Sequence, residues 1–467
     1  MKRLKKRLRG LLQHDFFRLL GGSAYVFVFR IVGAASVYLT QVVIARWLGA
    51  EALGAYVYAF SWLVMLAVVS GFGFPAASFR FIGHALTHGE SGKLWGYIIR
   101  GRQFVVAGSL LAAGVAAVAV WWFDGLVQPD YRSPLLIAIV TAPLMALIIF
   151  RTAIAQAFSW FDLAVVPHDA LRPLVFLLLL AALWWSGAQL DVNEVLLLQL
   201  VVMGFFALLI EVLVARRMRR KVEAAAPRFE TRLWLRTASP LLIIILFSGF
   251  FSEVNMIVVG SYLPADQLAM FNAAFRTAFM IGFGITAVDS VTLPKAARLH
   301  AARDMAGLQR LITHATQMKF WGALLAIGLF AAYGEPILSI FGSGFGQAHH
   351  ALLILGVAMV VIAGTGAVTE LLSISGHQDH CLYVFIVSFL LTLLLHSLVV
   401  PRHGLEGAAW SVLAVVSFYS LWLHWLVIRK LGILPSIFGI FWLRRTALRT
   451  PAAAPAAGGE SGAAPTP

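Results

Sequence analysis

The sequence predicts an all-α integral membrane protein, with twelve transmembrane helices in two parallel six-helix halves around a central cavity. Three observations support this fold class. Of the 467 residues, 60% are hydrophobic and only 12% are charged, a composition typical of polytopic membrane proteins. Apolar stretches of about 20 residues, long enough to cross hydrocarbon, recur along the chain. A basic connector at 216–237 divides these stretches six and six.

Each half contains six apolar windows of transmembrane length. In the first half, residues 21–215, the windows are 21–45, 54–79, 96–122, 134–159, 163–186 and 193–215. In the second half, residues 238–430, they are 238–260, 268–293, 311–333, 349–375, 380–400 and 406–428. Residues 1–20 are basic and amphipathic, which predicts an interfacial segment. The C-terminal tail, 431–467, is rich in Pro, Ala and Gly from about residue 450 and is expected to be disordered there.

Basic residues accumulate at alternate loops, as the positive-inside rule requires of cytoplasmic segments. Arg80, Lys93 and the connector 216–237 fall on one side, whereas Glu51 and Asp130 fall on the other. This pattern predicts that both termini are cytoplasmic. The formal charge of +15 (36 Lys and Arg minus 21 Asp and Glu) then reflects topology and attraction to anionic membrane lipids. We therefore expect no nucleic-acid partner.

An internal repeat relates the two halves. The segment "WLGAEALGAYVYAF" at 47–60 aligns without gaps on "YLPADQLAMFNAAF" at 262–275, and Glu51 then matches Asp266. Both segments follow the first helix of their half. Two halves in the same orientation, related by an axis along the membrane normal, are typical of a rocking transporter with its site between them.

The aligned segments carry a resemblance to a known family. "TQVVIARWLGAEALGAYVYAFSWLVMLAVVSGFGFPAASFRFI" resembles the first two helices of the polysaccharide biosynthesis and export family of flippases. "ASPLLIIILFSGFFSEVNMIVVGSYLPADQLAMFNAAFR" and "PRHGLEGAAWSV" resemble the opening of its second half and the start of its twelfth helix. The resemblance covers roughly residues 20–430. It implies the fold of multidrug/toxic-compound extruders and of lipid II flippases.

The resemblance also implies a cargo and a location. Family members move polyprenyl-diphosphate-linked oligosaccharides, of the O-antigen or exopolysaccharide type, from the cytoplasmic to the periplasmic leaflet of the bacterial inner membrane. It implies a functional monomer whose partners can include a polysaccharide polymerase or a glycosyltransferase. Lipid II flippases usually have fourteen helices, so twelve favours a polysaccharide repeat unit. A lipid II flippase and a multidrug efflux transporter remain the alternatives.

Two arginines inside apolar windows are the main candidates for holding the diphosphate. Arg30 interrupts "YVFVFRIVGAASVYL" and is expected near the membrane midplane, where a charge must face the protein interior. Arg276 lies about eight residues into the eighth window. A guanidinium matches the geometry of phosphate oxygens, and the resemblance adds that lumenal arginines of the first and eighth helices hold the diphosphate. The alternative for Arg276 is a counter-ion role opposite Glu253, which is expected at a similar depth.

Three further arginines are weaker candidates for the same cargo. Arg172 follows Asp169 by three residues, the spacing of an ion pair on a helix. Arg80 and Arg151 lie toward cytoplasmic helix ends, where they either snorkel to the interface or form an entrance that attracts the diphosphate.

The energy source is predicted to be an ion gradient, because the chain has no P-loop for ATP. Glu253 and Asp289 are intramembrane carboxylates that can exchange H+ or bind Na+, with counter-ion roles as the alternative. No cofactor and no metal site is expected. The sequence has no HExxH, CxxC or DxD pattern and a single cysteine, Cys381, which argues against an enzyme.

Overall fold

The computed structural model describes residues 26–122, 125, 127–249 and 251–439. The predicted interfacial segment 1–20 and the tail from about residue 450 lie outside the described residues. Ten helices of the described chain are long and apolar enough to cross a membrane. Two more spans come from a helix pair on either side of residue 250 and from the division of the longest helix at Gly404. The prediction of twelve spans is confirmed.

The spans are numbered in chain order. They are Val26–Leu48 (span 1), Ala50–His88 (span 2), Ser91–Trp122 (span 3), Pro129–Ala157 (span 4), Phe161–Trp185 (span 5), Val192–Lys221 (span 6), Thr231–Gly249 with Phe251–Tyr262 (span 7), Ala265–Ala301 (span 8), Met305–Leu338 (span 9), Phe345–Ile374 (span 10), and the two parts of Gln378–Leu431 (spans 11 and 12).

Glycines and prolines explain why several spans are broken. Span 2 consists of the helices Ala50–Val69 and Phe74–His88, joined through Gly73, whose positive φ of 75° suits glycine. Spans 11 and 12 meet at Gly404, with φ 57° and ψ −138°, three residues after Pro401. At both positions the backbone leaves the α-helical conformation, and this separates the two helices of each pair.

The connector between the halves is shorter than the predicted range 216–237. Span 6 stays helical to Lys221, and span 7 begins at Thr231, so only 222–230 is non-helical. Three of the basic residues that mark the connector in the sequence, Arg219, Arg220 and Lys221, lie in the last turn of span 6. Cations there interact favourably with the negative end of the helix dipole and prolong the helix beyond its apolar part.

The two repeated segments lie opposite each other between the halves. The first helix of span 2 packs against the first helix of span 8, and the backbone of Gly54 meets the carbonyl of Ala265. We call this end of the bundle, which carries Gly49 and 263–264, the turn end. The opposite end, which carries Gly89 and 222–230, is the connector end.

Polar contacts join the halves along span 1 toward the turn end. Asn272 Nδ2 donates to Gln41 Oε1 at 2.9 Å, and the hydroxyls of Tyr38 and Thr277 are 3.0 Å apart. Arg46 Nε donates to the carbonyl of Ile340 at 2.6 Å, just beyond the C-terminal end of span 9. A cation at a helix C-terminus is favourable. These contacts hold the halves together at the turn end.

Substituting Gly54 with alanine is expected to weaken this closure. The added Cβ would lie 1.8 Å from the Ala265 carbonyl oxygen, so the helices must separate. Overpacking of this kind costs about 1–3 kcal/mol, a population change of at least about fivefold. We expect slower cross-linking between cysteines introduced at Gln41 and Asn272, in a chain without Cys381.

Gly114→Ala on span 3 is the matched control, because a Cβ at Gly114 meets nothing within 4 Å. Equal cross-linking rates in the two alanine variants would contradict the assigned role of the Gly54 contact.

Candidate functional site

Five charged side chains from spans 1, 5, 7 and 8 form a connected group between the two halves. We call it the charge cluster, and its members are Arg30, Asp169, Arg172, Glu253 and Arg276. Arg30 and Asp169 are in direct contact, and the other members are linked by electrostatic proximity. Tyr56 of span 2 is within electrostatic range of both Arg172 and Arg276. The cluster therefore contains three of the five arginines that the sequence singled out.

Arg30 of span 1 faces an acid on span 5. Its Nε lies 3.5 Å from Asp169 Oδ2, and the Arg30 side chain remains 59% exposed. Asp169 Oδ1 accepts from His168 Nδ1 at 2.6 Å. Both acid and histidine belong to the π-helical turn Val166–Leu171, a distortion that often occurs at functional sites. The acid that meets Arg30 comes from another span, so no search within span 1 could find it.

The ion pair expected between Asp169 and Arg172 does not form. Arg172 is buried, its Nη1 donates to Met203 Sδ at 4.0 Å, and its Nε has no hydrogen-bond partner among the described residues. The π-helical turn ends just before Arg172 and changes the angular spacing that an α-helix would give. Arg172 is thus a buried cation whose Nε is unpaired in the described chain, and it lies within electrostatic range of Tyr56.

Arg276 lies on the opposite half and shares the neighbourhood of Tyr56. Its Nε is buried without a hydrogen-bond partner in the described chain. Glu253 of span 7 is an electrostatic neighbour of Arg276, but no ion pair within 4 Å joins these two described side chains. Glu253 therefore acts on Arg276 electrostatically without a direct ion pair, and Arg276 Nε remains an unpaired donor within the described part of the chain.

Span 1 reaches further toward the turn end than the sequence window 21–45 predicted. Span 1 continues to Leu48, so 48 − 30 = 18 residues separate Arg30 from the turn end, roughly 27 Å at helical rise. Arg276 is 276 − 265 = 11 residues from the start of span 8, roughly 16 Å. Measured along the helices, Arg276 therefore lies closer to the turn end than Arg30 does. The location of Arg30 near the membrane midplane stays a prediction.

Arg151 is committed to a structural ion pair. Its Nε and Nη2 both donate to the carboxylate of Glu211 on span 6, and only 5% of the Arg151 side chain is exposed. Arg102 Nη1 adds a third bond to Glu211 at 3.2 Å. A bidentate, buried arginine has few donors left for cargo. This geometry argues against the predicted entrance role of Arg151.

Arg80 lines a cavity of about 230 Å³ at the connector end, between spans 2, 3 and 7. The cavity also contains Lys93, which bridges Glu90 at 3.0 Å and Glu230 at 3.1 Å. The hydrogen bond from Lys93 holds the pKa of the Glu90 carboxyl below its usual range, so the acid stays ionised. Two cations and two carboxylates balance, which gives little net attraction for a diphosphate in this conformation.

Asp289 of span 8 forms an ion pair with a lysine of span 9. Lys319 Nζ donates to Asp289 Oδ1 at 2.8 Å, and only 1% of the Lys319 side chain is exposed. Asp289 also lines a cavity of about 440 Å³ within the second half, together with Glu370 and the hydroxyls of Thr286, Ser388 and Thr392. The pair with Lys319 does not support the predicted exchange of a coupling ion at Asp289. Within the described residues, no group of three His, Cys, Asp or Glu could hold a metal.

Sequence reasoning overlooked Lys319, Glu370 and Glu211, although each one carried a signal. Every one of them is an ionisable residue inside an apolar window, and such residues are normally partnered or functional. Pairing each charge with an opposite charge in another span would have identified them as candidates. Which spans are neighbours, however, is known only from the structure.

The architecture and the site together define a class of protein. Two lobes that meet through equivalent helices, with buried polar groups between them, are the build of an alternating-access membrane transporter. A family profile described as "Polysaccharide biosynthesis protein" matches residues 19–300. The chain belongs to this family, as the resemblance predicted.

Solved structures confirm the twelve-helix, two-lobe fold. Lipid II flippase MurJ in an inward closed conformation is similar with a TM-score of 0.70 and 15% identity, over 92% of each chain. A multidrug resistance MATE-family transporter of the MOP superfamily, in an inward-facing conformation, gives 0.68 and 13% over 91% of this chain and 100% of its own. A MOP-superfamily transporter from Pyrococcus furiosus, described as having a binding pocket of reverse polarity, gives 0.57 and 14%, over 91% and 95%. No curated protein matches the sequence.

Proposed function

We propose that this protein is a flippase that moves a polyprenyl-diphosphate-linked oligosaccharide from the cytoplasmic to the periplasmic leaflet of a bacterial inner membrane. Membership of the polysaccharide biosynthesis family supports the cargo class. Both termini are cytoplasmic in this proposal, and the protein acts as a monomer on membrane lipids and the lipid-linked glycan. A polymerase or a glycosyltransferase of the same pathway is the proposed partner.

The observation that carries this proposal is the pair of buried, unpaired arginine Nε atoms in the charge cluster. Arg172 Nε and Arg276 Nε have no hydrogen-bond partner among the described residues, although both nitrogens are buried. Leaving such donors unpaired costs free energy, so a site of this kind favours an anionic ligand. The cluster's three arginines exceed its two acids by one positive charge. A diphosphate supplies both the negative charge and the acceptor oxygens.

Coupling to H+ or Na+ is proposed to involve Glu253. Its carboxylate interacts electrostatically with Arg276. Any change in its protonation or ion binding alters the field at a nitrogen that would contact cargo. Glu370, which faces the cavity of the second half beside Asp289, is the second candidate.

Two alternatives share the fold. A drug efflux transporter for cations would need an acidic or aromatic pocket, and the cluster is net cationic. A lipid II flippase would use the same chemistry at the diphosphate, so the cluster cannot separate it from a polysaccharide flippase. The twelve-span architecture supports the polysaccharide repeat unit.

The cargo is tested by the lipid-linked sugar that accumulates on the cytoplasmic side of cells lacking this protein. We expect a polyprenyl-diphosphate-linked polysaccharide repeat unit, cleared again when the wild-type chain is restored. The control is the same strain with Arg217→Ala, which removes a pair with Asp162 and a cation–π contact with Trp160, both outside the charge cluster. Accumulation of lipid II instead would reject the proposed cargo, and accumulation of neither would reject the flippase.

A further inference from the structure

We propose that Asp169 is an internal substitute for the cargo phosphate, which holds Arg30 while the site is empty and gives it up when a diphosphate binds. The inference rests on the proposed function. It adds a positioning residue that must be displaced in each transport cycle.

The contact between Arg30 and Asp169 has the geometry of an exchangeable pair. One nitrogen approaches one oxygen at 3.5 Å, longer than the usual 2.7–3.2 Å of a hydrogen bond. The Arg30 side chain is 59% exposed, so its other nitrogens are free to meet a ligand. The Arg151–Glu211 pair of the same lobe is the contrast, because it is bidentate and buried. Of these two intramembrane pairs, only the Arg30 pair can open without stranding a buried charge.

Asp169 itself is fixed in place. His168 holds its Oδ1 at 2.6 Å, which leaves only Oδ2 for Arg30. The backbone carbonyl of Asp169 also packs directly on Gly33, where an added Cβ would lie 1.6 Å away. The Asp169 carboxylate therefore cannot move with the Arg30 side chain. Arg30 can contact either Asp169 or the diphosphate of the cargo, but not both at full strength.

Opposite effects are expected when the two residues of this turn are changed. Asp169→Asn removes the competing charge, so farnesyl diphosphate should bind purified protein about two- to fivefold more tightly, the size expected of one exposed ion pair. The maximal rate of flipping a fluorescent polyprenyl diphosphate in proteoliposomes should fall, because release slows. His168→Leu frees Oδ1 for a second bond to Arg30, so the same probe should bind more weakly. Asp169→Glu keeps the competing charge, so it should not show the tighter binding expected of Asp169→Asn.

Asp162→Asn is the matched control, since it removes the acid of another Arg–Asp pair on span 5. Binding and rate should then be unchanged. If Asp169→Asn and His168→Leu both weaken binding, Asp169 is only a structural support and the inference is overturned. Unchanged binding in Asp169→Asn overturns it as well. If Arg30→Ala binds the probe as tightly as wild type, Arg30 does not contact the cargo and the inference is overturned, whereas failure of the proposed function is a distinct result, read from the sugar that accumulates in cells lacking the protein.

Discussion

Replacing Arg30 with alanine is expected to stop export of the lipid-linked sugar and to weaken diphosphate binding roughly ten- to a hundredfold. The expected loss follows from a charge-assisted contact of about 1.5–3 kcal/mol between a guanidinium and phosphate oxygens. Arg30→Lys keeps the charge but loses the planar fork, so partial transport should remain. Binding of farnesyl diphosphate to purified variants and export in cells measure the two effects.

Membrane abundance must be measured beside both readouts. Arg30 is 59% exposed and loosely paired, so neither variant should lose much folded protein. Arg217→Ala is the matched control, because it breaks another Arg–Asp pair, between Arg217 of span 6 and Asp162 of span 5 at the connector end. Loss of folded protein in both Arg30 variants would assign this residue a packing role. Full export by Arg30→Ala would refute its role in cargo binding.

Asp289→Asn is expected to remove most of the folded protein from the membrane. The substitution strands the ammonium of Lys319, which is 1% exposed and hydrogen-bonded to Asp289. Breaking a buried pair on one side costs about 3–5 kcal/mol, a large part of the roughly 5–15 kcal/mol that stabilises a typical protein. Fluorescence-detected size exclusion and thermal unfolding of solubilised membranes measure the loss.

A second substitution separates stability from ion coupling. Adding Lys319→Met to Asp289→Asn removes both charges at similar volume and should restore abundance. Glu253→Gln is the contrast, because the described chain places no cation within ion-pair distance of Glu253 and folded protein should persist while export slows. Normal abundance of Asp289→Asn alone would show that the Lys319 pair is not needed for folding. That result would also restore Asp289 as a candidate for exchanging the coupling ion.

The charged residues show where sequence reasoning stops. Arg30 and Arg276 were recognisable because a charge in an apolar window must avoid lipid. The i, i+3 spacing from Asp169 to Arg172 predicted a local ion pair. In the structure, Asp169 lies in a π-helical turn and pairs with Arg30, whereas Arg172 Nε has no hydrogen-bond partner among the described residues. The sequence predicted that Arg151 either snorkels to the interface or forms part of an entrance, and the structure pairs it with Glu211 of span 6. In each case the deciding partner lies on another span.

The sequence by itself determined the twelve spans, the two repeated halves and the family, because hydrocarbon thickness sets helix length and each window must be apolar by composition. Only the tertiary structure decided which charges are free. Opposite charges interact over a few ångströms, and the residues that meet here, such as Arg30 with Asp169 and Asp289 with Lys319, are far apart along the chain. Helix packing sets those distances, so the lobe interface has unpaired arginines while the interior of the second half has a closed ion pair.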